Sequence, residues 1–159
     1  MRRKRCGGMM GIIFFTLVVL LAAQPILRAQ TPPHRPSVAS RVILAVMDAQ
    51  VAAWNRGDVV GFMQGYKDSP DTTFISDHVA KGYQAILTRY RKKYASQAQM
   101  GTLAFTDLEV RPLCAQYATV TGRFHLTRTA DAGGDASGVF SLVFENTLAG
   151  WRIILDHTS

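Results

Sequence analysis

The sequence contains few of the residues from which metal sites, disulfide bonds and nucleotide-binding loops are built. Among 159 residues there are two cysteines, Cys6 and Cys114, and four histidines, and their spacing matches no metal-ligand pattern. A glycine-rich phosphate motif and a Gly-x-Ser-x-Gly nucleophile turn are also absent from the sequence. The sequence therefore indicates no metal site and no cofactor.

Acidic residues are missing from the N-terminal segment, which has the composition of an export signal. Arg2-Arg3-Lys4-Arg5 precede an uncharged apolar run from about Met9 to Ala23, and the small residue Ala29 follows. This order is typical of a secretory signal peptide. We therefore expect residues 1–29 to be removed and the protein to be periplasmic or secreted. The alternative, an uncleaved N-terminal membrane anchor, is less favoured because the run is shorter than the roughly 20 residues that a span needs.

Loss of this signal would also remove most of the positive charge. The chain carries 18 basic and 11 acidic residues, a net charge of +7, but five of the basic residues lie within residues 1–29. The remaining 13 basic residues against 11 acidic ones give +2, so the main support for nucleic-acid binding disappears. Cys114 would then be the only cysteine, which excludes an internal disulfide, and we expect it to be a small buried hydrophobic residue.

The remaining chain predicts a single α+β domain. Gln30–Pro36 contains three prolines and predicts a short extended linker, so the domain should cover residues 37–159. Its first part has helical periodicity, and from Thr102 onward the period changes to two. Because the links between the predicted strands are short, these strands should be antiparallel. They are Thr102–Arg111, Gln116–Arg128, Gly138–Asn146 and Trp151–Thr158.

The first long helix is the element on which the sheet should pack. Ser37 can cap a helix over roughly Val38–Arg56, and Gly57 can end it in a left-handed conformation. Asp58 can then cap a second helix, Val59–Tyr66. One face of the first helix carries its apolar or buried-type residues at helical spacing, which are Ile43, Met47, Gln50 and Trp54.

A short strand and a third helix complete the first half. Thr72–Ser76 predicts the strand, and Asp77-His78 begins the loop that leaves it, where a turn is favoured over an acid–base pair. Gly82 precedes the third helix, in which Tyr90 belongs to the apolar row. A basic cluster lies largely on the other side of this helix, and a solvated helix face is favoured there over an anion-binding patch. The cluster comprises Arg89, Arg91, Lys92 and Lys93.

The last hairpin can be aligned from its sequence. Pairing Phe144 with Ile153 brings two apolar rows to the same face of the sheet. The same pairing sets Glu145 opposite Arg152, and an opposite-charge cross-strand pair supports this register independently.

This register also predicts which side chains face the core. It places His157 near Phe140 on the apolar face and directs Asp156 to the other face. In the second of the four predicted strands, Arg123 and His125 belong to a regular polar row. Such a row either faces solvent or lines a wet cavity.

The order of these elements resembles the nuclear transport factor 2-like superfamily, and more closely its SnoaL-like branch. The resemblance spans roughly Ser37 to Ser159, and it depends on an ordered set of short pieces rather than on any single motif. These pieces are Trp54-Asn55-Arg56-Gly57-Asp58, Phe74-Ile75-Ser76, Gly82 before a helix ending in Arg89-Tyr90, Val120-Thr121-Gly122-Arg123, Gly150-Trp151-Arg152-Ile153 and Asp156-His157.

The resemblance implies a strongly bent antiparallel sheet wrapped around three N-terminal helices as a cone with an internal pocket, and it implies a homodimer. The superfamily includes isomerases, cyclases, dehydratases, epoxide hydrolases, ligand binders and noncatalytic dimerisation domains, so the fold does not decide the function. Its steroid-isomerase branch uses a Tyr and an Asp whose positions correspond here to Gln50 and Ser76. Ser76 cannot act as that base, and Asp77 is one residue further along.

The candidate site residues follow from these patterns. His157 is the candidate catalytic base, although a structural core histidine is the favoured alternative. For Arg123 and His125 the alternative is the outer face of the sheet or a dimer surface, and for Trp54 and Tyr90 it is core packing. The predicted pocket residues are Gln50, Trp54, Tyr90, Arg123, His125 and His157.

Two functions of different classes are compatible with the sequence. The first is an exported protein that binds a small, largely apolar molecule in the cone, with lyase, isomerase or hydrolase activity on it. The second is a noncatalytic homodimerising module whose cone is filled by its own side chains. A sizeable cavity with convergent polar groups would favour the first. Neither nucleic acid nor stable membrane insertion after cleavage is expected.

Overall fold

The computed structural model describes residues 36–159 as helices packed against a curved six-stranded sheet. The predicted signal peptide and nearly all of the predicted linker lie outside these residues. Within residues 36–159, no helix is both long enough and apolar enough to cross a membrane. The elements are α1 (Val38–Asn55), α2 (Val59–Met63), β1 (Thr73–Ile75), β2 (Val79–Lys81), α3 (Tyr83–Lys93), α4 (Gln97–Met100), β3 (Thr102–Pro112), β4 (Tyr117–Thr127), β5 (Ala136–Thr147) and β6 (Gly150–Thr158).

The capping residues of the first two helices are as predicted. The Ser37 hydroxyl accepts a hydrogen bond of 3.0 Å from the Ser40 amide at the start of α1. Gly57 has a φ of +82°, the left-handed conformation that ends the helix. The Asp58 carboxylate accepts a bond of 2.6 Å from the Gly61 amide and so caps α2. The predicted apolar face of α1 is buried against the sheet.

The sheet has the order β2-β1-β6-β5-β4-β3. Its four long strands, β3 to β6, are antiparallel to one another, as predicted. The short strand β1 pairs with β6 in parallel, a pairing that was not predicted from the sequence. The three-residue strand β2 and the four-residue helix α4 were not predicted, because segments this short carry too little periodicity to be recognised.

One extra residue interrupts the pairing of β5 with β6. Phe144 lies opposite Ile153, as predicted from the sequence. The next pair joins Val143 to Leu155, which leaves Ile154 as the extra residue of a β-bulge. Beyond the bulge, every side chain of β6 therefore lies on the opposite face from the one that a regular strand would give it.

The bulge corrects the prediction for the end of β6. Asp156 lies opposite Leu142 and is buried, with 4% of its surface exposed. His157 lies opposite Ser141 and is exposed. The prediction that His157 faces the apolar side and Asp156 faces away from it is wrong. We call the side of the sheet that packs on the helices the inner face, and the other side the outer face.

A second bulge bends the far end of the sheet. The register between β3 and β4 shifts by one residue between Thr106 and Glu109, so β3 has one extra residue there. Asp107, which lies in this bulge, has a φ of +54°. Gly122 lies opposite on β4, where a Cβ atom would come within 2.7 Å of the Phe140 ring. Glycine thus allows the strands to approach closely where the sheet curves.

Candidate functional site

A cavity of about 520 Å³ lies between the helices and the inner face of the sheet. This volume falls in the range of roughly 300–1,000 Å³ that is typical of small-molecule sites. Seven apolar residues form its sheet side: Leu103, Phe105, Phe124, Leu126, Phe140, Leu142 and Ile153. Six aromatic residues from the helices, from β1 and from the loop after α2 form the opposite side, which we call the aromatic wall: Trp54, Phe62, Tyr66, Phe74, Tyr90 and Tyr94.

The rings of the aromatic wall pack against one another. The Trp54 ring meets Phe62 and Tyr94 edge to face, with centroids 4.9 and 4.6 Å apart. Its indole Nε1 donates a hydrogen bond of 2.7 Å to the Met100 carbonyl, which satisfies its polar atom. A preformed apolar surface of this kind suits an aromatic or aliphatic ligand.

A buried carboxyl group lies within this apolar cavity. The Tyr66 hydroxyl donates a hydrogen bond of 2.5 Å to Oδ2 of Asp156, and the Thr158 hydroxyl donates one of 2.6 Å to Oδ1. No Lys or Arg of the described residues forms an ion pair with Asp156. The carboxyl group is therefore surrounded by neutral donors and apolar side chains.

This environment shifts the protonation of three groups. Burial raises the pKa of Asp156, and the hydrogen bonds from Thr158 and Tyr66 offset part of that rise. Burial, followed by the negative charge of Asp156, raises the pKa of Tyr66. Burial also raises the pKa of Tyr90, which lies beside Tyr66. The group thus holds protons more strongly than the same residues would in water, which suits it to donate hydrogen bonds or a proton.

The backbone around Tyr66 fixes its position. The predicted helix Val59–Tyr66 in fact ends at Met63, and the chain then runs beside β6. Ile153 donates its amide to the Gly65 carbonyl at 2.8 Å and accepts a bond of 2.9 Å from the Lys67 amide. These two bonds hold Tyr66 next to the strand that carries Asp156.

The cavity opens to solvent at a charged mouth, which we define as Asp77, Arg89 and Lys93. Asp77 and Lys93 are exposed, whereas the Arg89 side chain is 24% exposed. The Arg89 guanidinium donates to the Ser76 hydroxyl at 3.0 Å and to Asp77 Oδ1 at 3.2 Å. Hydrogen bonds from Ser76 and then Arg89 lower the pKa of Asp77 to about 2. Asp77 is therefore a weak base and is poorly suited to replace Ser76 as a general base.

The structure separates the six predicted pocket residues into two groups. Gln50, Trp54 and Tyr90 line the cavity. Gln50 is buried, and its side-chain amide donates a bond of 3.1 Å to the Phe62 carbonyl, so it supports the wall. The other three predicted residues lie on the outer face and do not reach the cavity, which corrects the prediction for Arg123, His125 and His157.

Two further predictions are settled by exposure and by local geometry. Cys114 is exposed in the turn between β3 and β4, so the expectation of a buried residue is wrong. Asp77 and His78 lie in the turn after β1, as predicted. Their side chains also contact each other there, with Asp77 Oδ1 and His78 Nδ1 2.9 Å apart.

Sequence reasoning missed Asp156 and Tyr66 for one physical reason each. Asp156 was assigned to the wrong face because a regular strand was assumed. The three consecutive apolar residues Ile153-Ile154-Leu155 break the alternation and could have indicated the bulge. Tyr66 was assigned to the end of a helix, and only the tertiary structure brings it to β6.

Comparison with known families identifies the domain. The family model described as "SnoaL-like domain" matches residues 43–159. The chain belongs to this family. A comparison with curated proteins found no match.

Similar solved structures have the same fold. An NTF-2 like protein of unknown function from Shewanella oneidensis is 35% identical, with a TM-score of 0.68, over 74% of this chain and 95% of that one. An NTF2-like protein of unknown function from Pseudomonas putida is 17% identical, with a TM-score of 0.63, over 76% and 85% of the two chains. A putative aromatic ring hydroxylase from Novosphingobium aromaticivorans is 14% identical, with a TM-score of 0.63, over 79% and 91%. The last two show the fold alone.

Proposed function

We propose that this SnoaL-like domain binds a small, largely apolar molecule in the cavity and that Asp156 exchanges a proton with an oxygen atom of that molecule. The observation that carries the proposal is the buried carboxyl group of Asp156 inside a largely apolar cavity. A carboxyl group whose pKa is raised by an apolar pocket keeps its proton to higher pH than a free carboxyl group and is therefore suited to act as a general acid. Tyr66 orients this carboxyl group through its hydrogen bond.

The reaction class that this arrangement supports is acid–base chemistry next to a carbonyl or hydroxyl group. An isomerase, a lyase and a hydrolase can all use a proton donor in this way. The alternative, a noncatalytic module with a filled cone, is less supported because a cavity of about 520 Å³ is present among the described residues.

Ligand binding can be tested with the neutral fluorescent probe N-phenyl-1-naphthylamine. We expect its fluorescence to rise when it binds to the purified protein. Leu142→Phe, which replaces an aliphatic side chain on the inner face with a larger aromatic ring, should weaken binding, whereas Val139→Phe on the outer face of the same strand should not. Absence of binding, or equal binding by both variants, would favour the noncatalytic module.

Proton exchange can be tested with a neutral aryl ketone such as 2-tetralone in D₂O. We expect the protein to accelerate deuterium incorporation next to the carbonyl group, because Asp156 donates a proton to the carbonyl oxygen while a solvent molecule takes the proton from the adjacent carbon, and the resulting enol returns to the ketone by taking up deuterium from D₂O. Since general acid–base catalysis typically contributes about 10²–10⁴-fold, Asp156→Asn should remove most of the acceleration. His157→Asn is the matched control, because His157 is the next residue but lies on the outer face. A rate unaffected by Asp156→Asn would refute the proposed role of this carboxyl group.

A further inference from the structure

Two cations of α3 lie at the mouth of the cavity. Arg89 and Lys93 are four residues apart, and residues at this spacing lie next to each other on a helix surface. Like charges at this spacing destabilise a helix slightly. Their common position at the cavity therefore needs an explanation beyond helix formation.

Only part of this positive charge is neutralised. Asp77 forms an ion pair with Arg89 at 3.2 Å, but its side chain is 78% exposed. Lys93 forms no ion pair with any described residue, and its Nζ lies 5.5 Å from the centroid of the Tyr94 ring. One negative and two positive side chains leave the mouth with a net charge of +1.

The Arg89 side chain is also fixed in position before any ligand binds. Besides its bonds to Ser76 and Asp77, it contacts the His78 ring, and its guanidinium carbon lies 5.4 Å above the centroid of the Phe74 ring. A fixed guanidinium group loses little entropy when it binds an anion. The aromatic wall begins directly beneath it, because Phe74 belongs to that wall.

The interior of the cavity has the opposite preference. Asp156 is buried there, and no Lys or Arg of the described residues pairs with it, so a ligand charge placed in this part of the cavity would be buried without a cationic partner and strongly disfavoured. A ligand with one negative charge is compatible with both the mouth and the interior of the cavity only if its charged group stays at the mouth and its neutral part extends inward. The net charge of +1 at the mouth matches a single negative charge better than a dianion such as a phosphate monoester.

We infer that the molecule bound in the cavity is an apolar carboxylic acid, with its carboxylate held by Arg89 and Lys93 at the mouth and its aromatic or aliphatic body against the aromatic wall. This inference rests on the proposed function and specifies the chemical class of the ligand. The competing explanation is that the basic residues at the end of α3 serve only the negative end of the helix dipole. Lys92 distinguishes the two explanations, since it lies in the same turn but does not line the cavity.

The test compares 2-naphthylacetate with its primary amide by calorimetric titration of the purified protein. The two probes have nearly the same shape and differ in charge. We expect the acid to bind at least tenfold more tightly than the amide, and we expect high salt to reduce this preference. Lys93→Gln should reduce the preference several-fold, whereas Lys92→Gln should leave it unchanged.

The outcomes separate the inference from the proposed function. If both probes bind equally well, or if Lys92→Gln and Lys93→Gln have equal effects, the carboxylate site is refuted while the cavity still binds ligands. If neither these probes nor the neutral naphthylamine bind, the proposed function fails and the inference fails with it. Arg89→Gln is a second variant, with circular dichroism as a check of folding, because Arg89 also holds the loop after β1.

Discussion

Charged residues of the long strands have opposite environments on the inner and outer faces of the sheet. On the outer face, Arg123 Nε lies 3.6 Å from Asp107 Oδ2, and the two side chains are 56% and 73% exposed. Water screens such a pair, so it contributes little to stability. On the inner face, Asp156 is buried among apolar groups, and its pKa is raised. The chemistry we propose is therefore placed on the inner face, where burial raises the pKa of Asp156.

The comparison also shows that the face on which a residue lies decides its role more than the residue type does. Sequence reasoning selected Arg123, His125 and His157 because their side chains are chemically versatile. All three lie on the outer face, where solvent surrounds them. The neighbour of His157 in sequence carries the buried carboxyl group instead.

The largest expected difference between the faces concerns stability. Phe144 on the inner face is 0% exposed, and Phe144→Ala should lower the free energy of unfolding by about 3–5 kcal/mol. Ser141→Ala on the outer face of the same strand should change it by less than about 0.5 kcal/mol. Urea denaturation of the two variants and the parent measures both values. Similar losses in the two variants would contradict the assignment of faces in β5.

An intermediate effect is expected in the pH dependence of stability. The folded-state pKa of Asp156 lies above its ordinary value of 3.8. Between these two values the folded protein binds more protons than the unfolded chain, so the free energy of unfolding falls as pH rises. Asp156→Asn should remove this decrease. Urea denaturation at several pH values above about 4 measures the slope in the parent and in the variant.

Other titratable groups must be separated from this effect. Tyr66, Tyr90 and His157 face or adjoin Asp156 and are present in both proteins, so the difference between parent and variant isolates the carboxyl group. Asp77 changes the free energy of unfolding with the opposite sign. Its folded-state pKa is lowered to about 2, so its stabilising contribution is lost only as pH falls from 3.8 toward about 2. Identical slopes in the parent and in Asp156→Asn would show that burial does not perturb this group.

Most of the fold could be predicted from the sequence because its signals are local. The caps Ser37, Gly57 and Asp58 act within one turn of their own positions. The alternation of the long strands and the pairing of Phe144 with Ile153 also follow from nearby residues. These features need no knowledge of what packs against them.

The candidate site was less predictable because two of its parts depend on distant contacts. Tyr66 reaches Asp156 from 90 positions away in the sequence, and their contact depends on backbone bonds between Gly65, Lys67 and Ile153. The bulge at Ile154 interrupts the pairing of β6 with β5 and moves Asp156 to the inner face. Gln50, Trp54 and Tyr90 were found because they belong to the regular apolar faces of α1 and α3.

The smallest expected effect belongs to His157, the residue that the sequence favoured most as a catalytic base. Because it is exposed on the outer face, His157→Ala should change the free energy of unfolding by less than about 0.5 kcal/mol. Binding of N-phenyl-1-naphthylamine should also remain unchanged, since the imidazole does not line the cavity. Denaturation at two protein concentrations adds a control for the homodimer, which stays a prediction. If the outer face formed a dimer interface, the loss of unfolding free energy in His157→Ala would depend on protein concentration. A loss above about 1 kcal/mol at both concentrations would instead indicate a buried imidazole, and with it a β6 strand without the bulge at Ile154.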